Sequence, residues 1–67
     1  MDDQIQRLLD DIQQLIAHLE RETRETEDYT RRNDYTSALR NTNESRDEMQ
    51  NLNQKYQQLV QLLNSRR

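Results

Sequence analysis

The sequence of 67 residues contains no glycine, no proline, no cysteine and neither tryptophan nor phenylalanine. Without glycine the chain has none of the phosphate-binding loops that nucleotide-dependent proteins use. Without proline or glycine the chain lacks the two residues that disfavour a helix interior most strongly. Without cysteine there is no disulfide framework, no thiolate nucleophile and no cysteine metal site. This composition is compatible with a reducing compartment, and we expect a cytoplasmic protein.

Apolar residues are scarce as well, at 30% of the chain, and no apolar run is longer than three residues. A membrane-spanning helix needs about 20 such residues, so we expect neither a span nor a signal-peptide core. Charged residues make up 34% with a net charge of −3, which argues against a nucleic-acid binder. Burying a large aliphatic side chain contributes about 1.5–3 kcal/mol, whereas ordering a residue costs about 1.5 kcal/mol. A lone monomer should therefore be marginal, and self-association or a partner protein is expected.

The apolar residues that are present concentrate in two segments, with recurring spacings of three and four residues that indicate helix. In the last segment Met49, Tyr56 and Leu63 take heptad position a. Three apolar positions per heptad give a broad stripe, which is typical of a helix in a bundle. The two stripes form the predicted core and partner-binding face: Ile5, Leu8, Leu9, Ile12, Leu15, Ile16, Leu19, Met49, Leu52, Tyr56, Leu59, Val60, Leu62 and Leu63.

The middle of the chain, EDYTRRNDYTS at 27–37, decides between a hairpin and one long helix. In one continuous helix the two stripes would lie on different faces, because their heptad registers are two positions apart. A turn at Asn33-Asp34 instead brings the stripes level, with Ile5 opposite Leu63 and Leu19 opposite Met49. Asn33 suits a left-handed helix C-cap where glycine is lacking, and Asp34 suits the N-cap of the next helix.

We therefore predict an all-α fold: an antiparallel helical hairpin, or two-helix coiled coil, that associates into a larger helical bundle. The whole chain, 1–67, forms one domain, with a helix over about 3–32, a turn over about 33–36 and a helix over about 37–65. Met1 suggests a natural start.

Charged residues favour the same arrangement. Acid-to-base pairs four residues apart, such as Glu27–Arg31, support a solvated helix by about 0.2–0.5 kcal/mol each. In a hairpin the acidic start of the first helix, Asp2-Asp3, also meets the basic end of the second, Arg66-Arg67, and both charges suit the helix dipoles.

Residues that could carry chemistry are few. His18 is the one histidine, and only Glu22 stands four residues away as a companion ligand, so we expect an ordinary histidine and no metal site. Asp10 and Asp11 are adjacent and do not face each other on a helix. We expect no catalytic residue, cofactor or small-molecule substrate, and no enzyme activity. The acidic polar face of the first helix also argues against membrane binding.

Three functions fit this pattern: self-association through the apolar face, a small chaperone subunit that offers the face to another protein, or a continuous-helix parallel coiled-coil oligomer. In layout the chain resembles the small two-helix cochaperones of type III secretion needle subunits. The shared features are the central turn, Tyr35 just after it, and the stripe from Met49 to Leu63. This resemblance implies a hairpin that binds a helical-repeat chaperone and helps to keep the needle protein unpolymerised. Other small hairpins, including dimeric regulators, share the same layout.

Overall fold

The computed structural model describes residues 2–67, which form two long α-helices joined by a short turn. Helix α1 spans Asp3–Arg31 and helix α2 spans Tyr35–Arg66. They run antiparallel in a rod of 50 × 17 × 12 Å, and no strand occurs over residues 2–67. The predicted all-α hairpin is confirmed, and one continuous helix is excluded.

The turn is built from residues that replace the missing glycine. Asn33 adopts a left-handed conformation, with φ of 60°, which asparagine tolerates better than most residues. The Asp34 N–H then donates to the Tyr29 carbonyl at 2.8 Å and closes the end of α1. The Asp34 carboxylate accepts from the Ser37 N–H at 3.2 Å and caps α2. The chain thus reverses at Asn33-Asp34.

At the opposite, open end of the hairpin one carboxylate joins the two helices. Asp2 caps α1 by accepting from the N–H groups of Gln4 and Ile5, at 2.9 and 3.3 Å. Its other oxygen accepts from Arg66 Nε at 2.6 Å. The Arg66 hydrogen bond is the main reason that the pKa of Asp2 is lowered, and the two backbone N–H groups act in the same direction. The expected pairing of acidic and basic termini is present.

The helices meet along a seam with spacings of three and four residues on both sides. On α1 the seam comprises Ile5, Leu8, Ile12, Leu15, Leu19, Glu22, Thr26 and Tyr29. On α2 it comprises Ala38, Asn41, Ser45, Glu48, Leu52, Lys55, Leu59 and Leu62. The seam is therefore mainly apolar towards the open end and polar towards the turn.

The a positions of α2 differ by one residue from the sequence-based assignment, whereas Leu52 and Leu59 of the predicted stripe do lie in the seam. Met49, Tyr56 and Leu63, expected at the inward a positions, are 59%, 43% and 50% exposed. The seam pattern of α2 runs unbroken from Ala38, and it places the residues that precede these three against α1. One of them is Lys55, whose Nζ lies 3.7 Å from Asp11 Oδ2 across the seam. A lysine is tolerated there because its aliphatic stem covers apolar surface while its charge stays near water.

Candidate functional site

The register of α2 leaves one long side of the hairpin apolar. This apolar face comprises Leu9, Ile16, Leu19, Met49, Leu52, Tyr56, Val60 and Leu63. Four of these, Ile16, Leu19, Met49 and Leu52, line a single open groove of about 580 Å³. Leu9 lies seven residues before Ile16, and Tyr56 and Leu63 lie seven and fourteen residues after Met49. Val60 lies four residues after Tyr56, so helical periodicity places all four on the same side. The apolar face runs from the open end to the middle of the rod.

The opposite side of the hairpin is polar. One shallow groove there is lined by Asp11, Gln14, Leu15, Asn51 and Lys55. Its neighbour towards the open end adds Gln4, Arg7 and Gln58, among others. The hairpin is thus amphipathic as a whole, and a contiguous exposed apolar patch on one side is typical of an interaction surface.

The structure divides the fourteen residues of the predicted core and partner-binding face into three groups. Three are buried: Ile5, Leu8 and Ile12. Seven are half-buried: Leu9, Leu15, Ile16, Leu19, Leu52, Leu59 and Leu62. Four are exposed: Met49, Tyr56, Val60 and Leu63. Contact of any of them with a partner stays a prediction.

A second feature, the polar cluster, lies about midway along the rod and consists of the seam residues Glu22, Ser45 and Glu48, together with His18 at the exposed edge of the seam. His18 and Glu22 are one turn apart on α1, and the other two face them from α2. His18 Nε2 lies 3.1 Å from Glu48 Oε1 and 3.6 Å from Glu22 Oε1. The Ser45 hydroxyl donates to Glu22 Oε1 at 3.2 Å. Only 6% of the Glu22 side chain is exposed.

The electrostatics of the polar cluster are unfavourable for two ionised carboxylates. Burial raises the pKa of Glu22, and the neighbouring Glu48 carboxyl raises it further, while Ser45 and His18 act weakly in the opposite direction. Glu48 Oε2 is buried, and none of the groups in residues 2–67 hydrogen-bonds to it. A buried polar atom without a partner costs about 1–3 kcal/mol. The polar cluster is therefore suited to taking up a proton or a cation.

Next to the polar cluster, Asn41 of α2 is buried against α1. Its Nδ2 donates to the Glu22 carbonyl at 2.8 Å and to Thr26 Oγ1 at 3.1 Å. A single buried asparagine can fix the register of paired helices, because other registers leave its amide unsatisfied. Both hydrogen bonds of the Asn41 amide are formed in the observed register, which is the one that exposes the apolar face.

Sequence reasoning found Glu22 beside His18 but missed Glu48 and Ser45. These residues are 23 to 30 positions away from their partners along the chain, so local spacing gives no indication of the contact. The predicted hairpin did carry one indication, because it set Leu19 level with Met49 and therefore His18 close to Glu48. The ligand atoms of His18, Glu22 and Glu48 lie within 4.8 Å of one another.

Comparison with protein-family models, with curated proteins and with solved structures finds no match to this chain. Over residues 2–67, neither helix combines the length and the apolar character needed to cross a membrane. The structure of the chain is therefore the main guide to its function.

Proposed function

We propose that the chain is a non-enzymatic interaction module that associates with a second copy of itself through the apolar face. The observation that carries this proposal is the exposure of large apolar side chains on one side of the rod. Met49, Val60 and Leu63 are each half exposed or more, and they adjoin the half-buried apolar residues of α1.

The burial within one hairpin supports the need for a partner. Its buried apolar residues are Ile5, Leu8, Ile12 and Ala38, and no large side chain of residues 2–67 is less than 2% exposed. Small domains bury too little apolar surface to be stable with a wide margin. Two further helices laid on the apolar face would remove much of the remaining apolar surface from water, as in a four-helix bundle.

Three features favour a second copy as the occupant. A two-fold contact requires a self-complementary surface, and the apolar face has one apolar stripe from each helix. The groove is flanked by Glu20 and Arg24, whose opposite charges can pair with Arg24 and Glu20 of the copy. The broad stripe on both helices is also the pattern of helices that pack against more than one neighbour. In such a dimer the open-end halves of the two hairpins overlap.

The proposal is tested by multi-angle light scattering and circular dichroism across a concentration series. Val60→Lys places a charge on the apolar face, whereas the control Gln58→Lys places the same charge on the polar side of the same helix. We expect the wild type and Gln58→Lys to be helical dimers. Val60→Lys should be monomeric at the same concentrations and less helical.

Two results would overturn self-association. The first is a wild-type chain that stays monomeric and fully helical at every concentration. The second is a monomer with little helix. This result would mean that the apolar face binds a different protein, and it would favour the cochaperone-like role over self-association. Cytoplasmic localisation stays a prediction.

A further inference from the structure

We propose that His18, Glu22 and Glu48 bind one divalent transition-metal cation, with Zn²⁺ as the first candidate, and that this ion bridges α1 and α2. The site lies in the seam and uses no residue of the apolar face. It therefore stands independently of the proposed self-association.

The separations of the three ligand atoms are compatible with such an ion, since all three lie within 4.8 Å of one another. Zn²⁺ binds histidine nitrogen and carboxylate oxygen at about 2.0–2.2 Å in a tetrahedron, which sets neighbouring ligand atoms about 3.4 Å apart. His18 Nε2 lies 3.1 Å from Glu48 Oε1 and 3.6 Å from Glu22 Oε1, one distance on each side of that value. His18 and Glu22 are four residues apart on one helical face, so both reach a common point.

The charges of the site favour a divalent cation. The carboxylate oxygens of Glu22 and Glu48 that could bind an ion lie within 4.8 Å of each other across the seam, and the Glu22 side chain is nearly withdrawn from water. Buried charges in proteins are normally paired or bound to metal. Glu48 also has a buried oxygen without a hydrogen-bond partner in the described part of the chain. A single Zn²⁺ would neutralise both carboxylates and could engage that oxygen.

The ligand types select the kind of metal. Imidazole suits first-row transition metals, whereas Mg²⁺ and Ca²⁺ prefer six or more oxygen ligands. Ser45 donates to Glu22 Oε1, an outer hydrogen bond of the sort that orients a metal-binding carboxylate. Three protein ligands leave the fourth position of a tetrahedron for water or another group.

Isothermal titration calorimetry of the untagged, full chain with Zn²⁺ at neutral pH tests the site, with Mg²⁺ in a parallel titration. We expect one Zn²⁺ per chain and no comparable Mg²⁺ binding. His18→Gln and Glu48→Gln should each weaken Zn²⁺ binding by at least about tenfold, since losing even a supporting group costs that much. The control Asp11→Asn removes another carboxylate that contacts α2, one heptad from His18, and should leave the affinity unchanged.

Two further measurements keep the proposal testable if a variant folds poorly. Because His18 is the one histidine, its ring ¹⁵N resonances are unambiguous, and Zn²⁺ should shift Nε2 much more than Nδ1. Glu22→Gln should fold without metal, since it removes a buried charge, yet its unfolding temperature should no longer rise with added Zn²⁺. No Zn²⁺ binding by the wild type, or equal weakening by Asp11→Asn and Glu48→Gln, would overturn the site.

Discussion

The two halves of the hairpin are joined by different chemistry. Towards the open end the seam is mainly aliphatic, with Ile5, Leu8 and Ile12 of α1 buried. Towards the turn the buried residues include Glu22 and Asn41, and Ala38 is the one buried apolar side chain of α2. The open-end half also has the apolar face, whereas the surface beside the turn is mostly polar and charged, with Tyr35 and Leu39 as its exposed large apolar side chains.

This difference suggests that one half of the rod provides most of the stability and the other half fixes how the two helices are aligned. Aliphatic contacts are non-directional and scale with the apolar area removed from water, so the open-end half supplies most of the burial. Hydrogen bonds of Asn41 are directional and are satisfied in one register only. We infer that the turn half fixes the rotation of α2 and that the open-end half provides the stabilising contacts. The four predictions that follow test this division.

The largest effect is expected in the open-end half. Ile12 is 3% exposed, the lowest value of any described residue in the core, and Ile12→Ala should destabilise the chain by about 2–5 kcal/mol through lost burial and a cavity. Urea unfolding followed by circular dichroism measures this change. The matched variant Leu39→Ala, at a position 62% exposed near the turn, should change stability by less than about 0.5 kcal/mol. Equal effects would contradict the division.

In the turn half, Asn41→Ala removes both hydrogen bonds to α1 and should cost about 1–3 kcal/mol. Its distinctive result is a loosened register, because the two Asn41 hydrogen bonds no longer oppose rotation of α2. Amide exchange and chemical shifts of Met49 and Tyr56 should show these residues becoming partly protected. Unchanged shifts after the substitution would mean that the aliphatic half alone sets the register.

A smaller effect, and one that depends on pH, is expected for Glu22. Its pKa is raised in the folded chain by burial and by Glu48, so folding favours the protonated form. Below about pH 4.3 the carboxyl is neutral in both states, and stability then falls as pH rises through the raised folded pKa. In metal-free buffer Glu22→Gln should therefore match the wild type in acid and be more stable near neutrality. Unfolding at several pH values measures the difference, which must widen with rising pH.

The smallest effect is expected at the open end itself. Asp2→Asn keeps an N-cap, since asparagine caps as well as aspartate, but removes the charge paired with Arg66. Because the pKa of Asp2 is lowered when folded, the ion pair contributes stability at neutral pH that is lost as pH falls through that pKa. The unfolding temperature should drop slightly at low salt and hardly at all at high salt. A loss that salt does not reduce would point to the cap and not to the ion pair.

Much of the fold could be predicted from the sequence, because its determinants are local. Spacings of three and four define the helices, and Asn33-Asp34 combines a residue tolerant of positive φ with an N-cap. The rotation of α2 about its own axis could not be predicted from the apolar pattern. Met49 and Tyr56 are seven residues apart, as are Glu48 and Lys55, so by spacing either pair can occupy the inward a positions. The polar cluster was missed for a related reason, because Glu48 meets His18 only across the seam.

By itself the sequence determined that the chain forms two helices and where it turns, since helix propensity, periodicity and capping act between residues close in the chain. Only the tertiary structure decided which side of α2 faces α1. That choice depends on contacts such as Asn41 with Glu22, which link residues 19 positions apart. It brings three potential metal ligands together in the seam and leaves the apolar face open on one side of the rod.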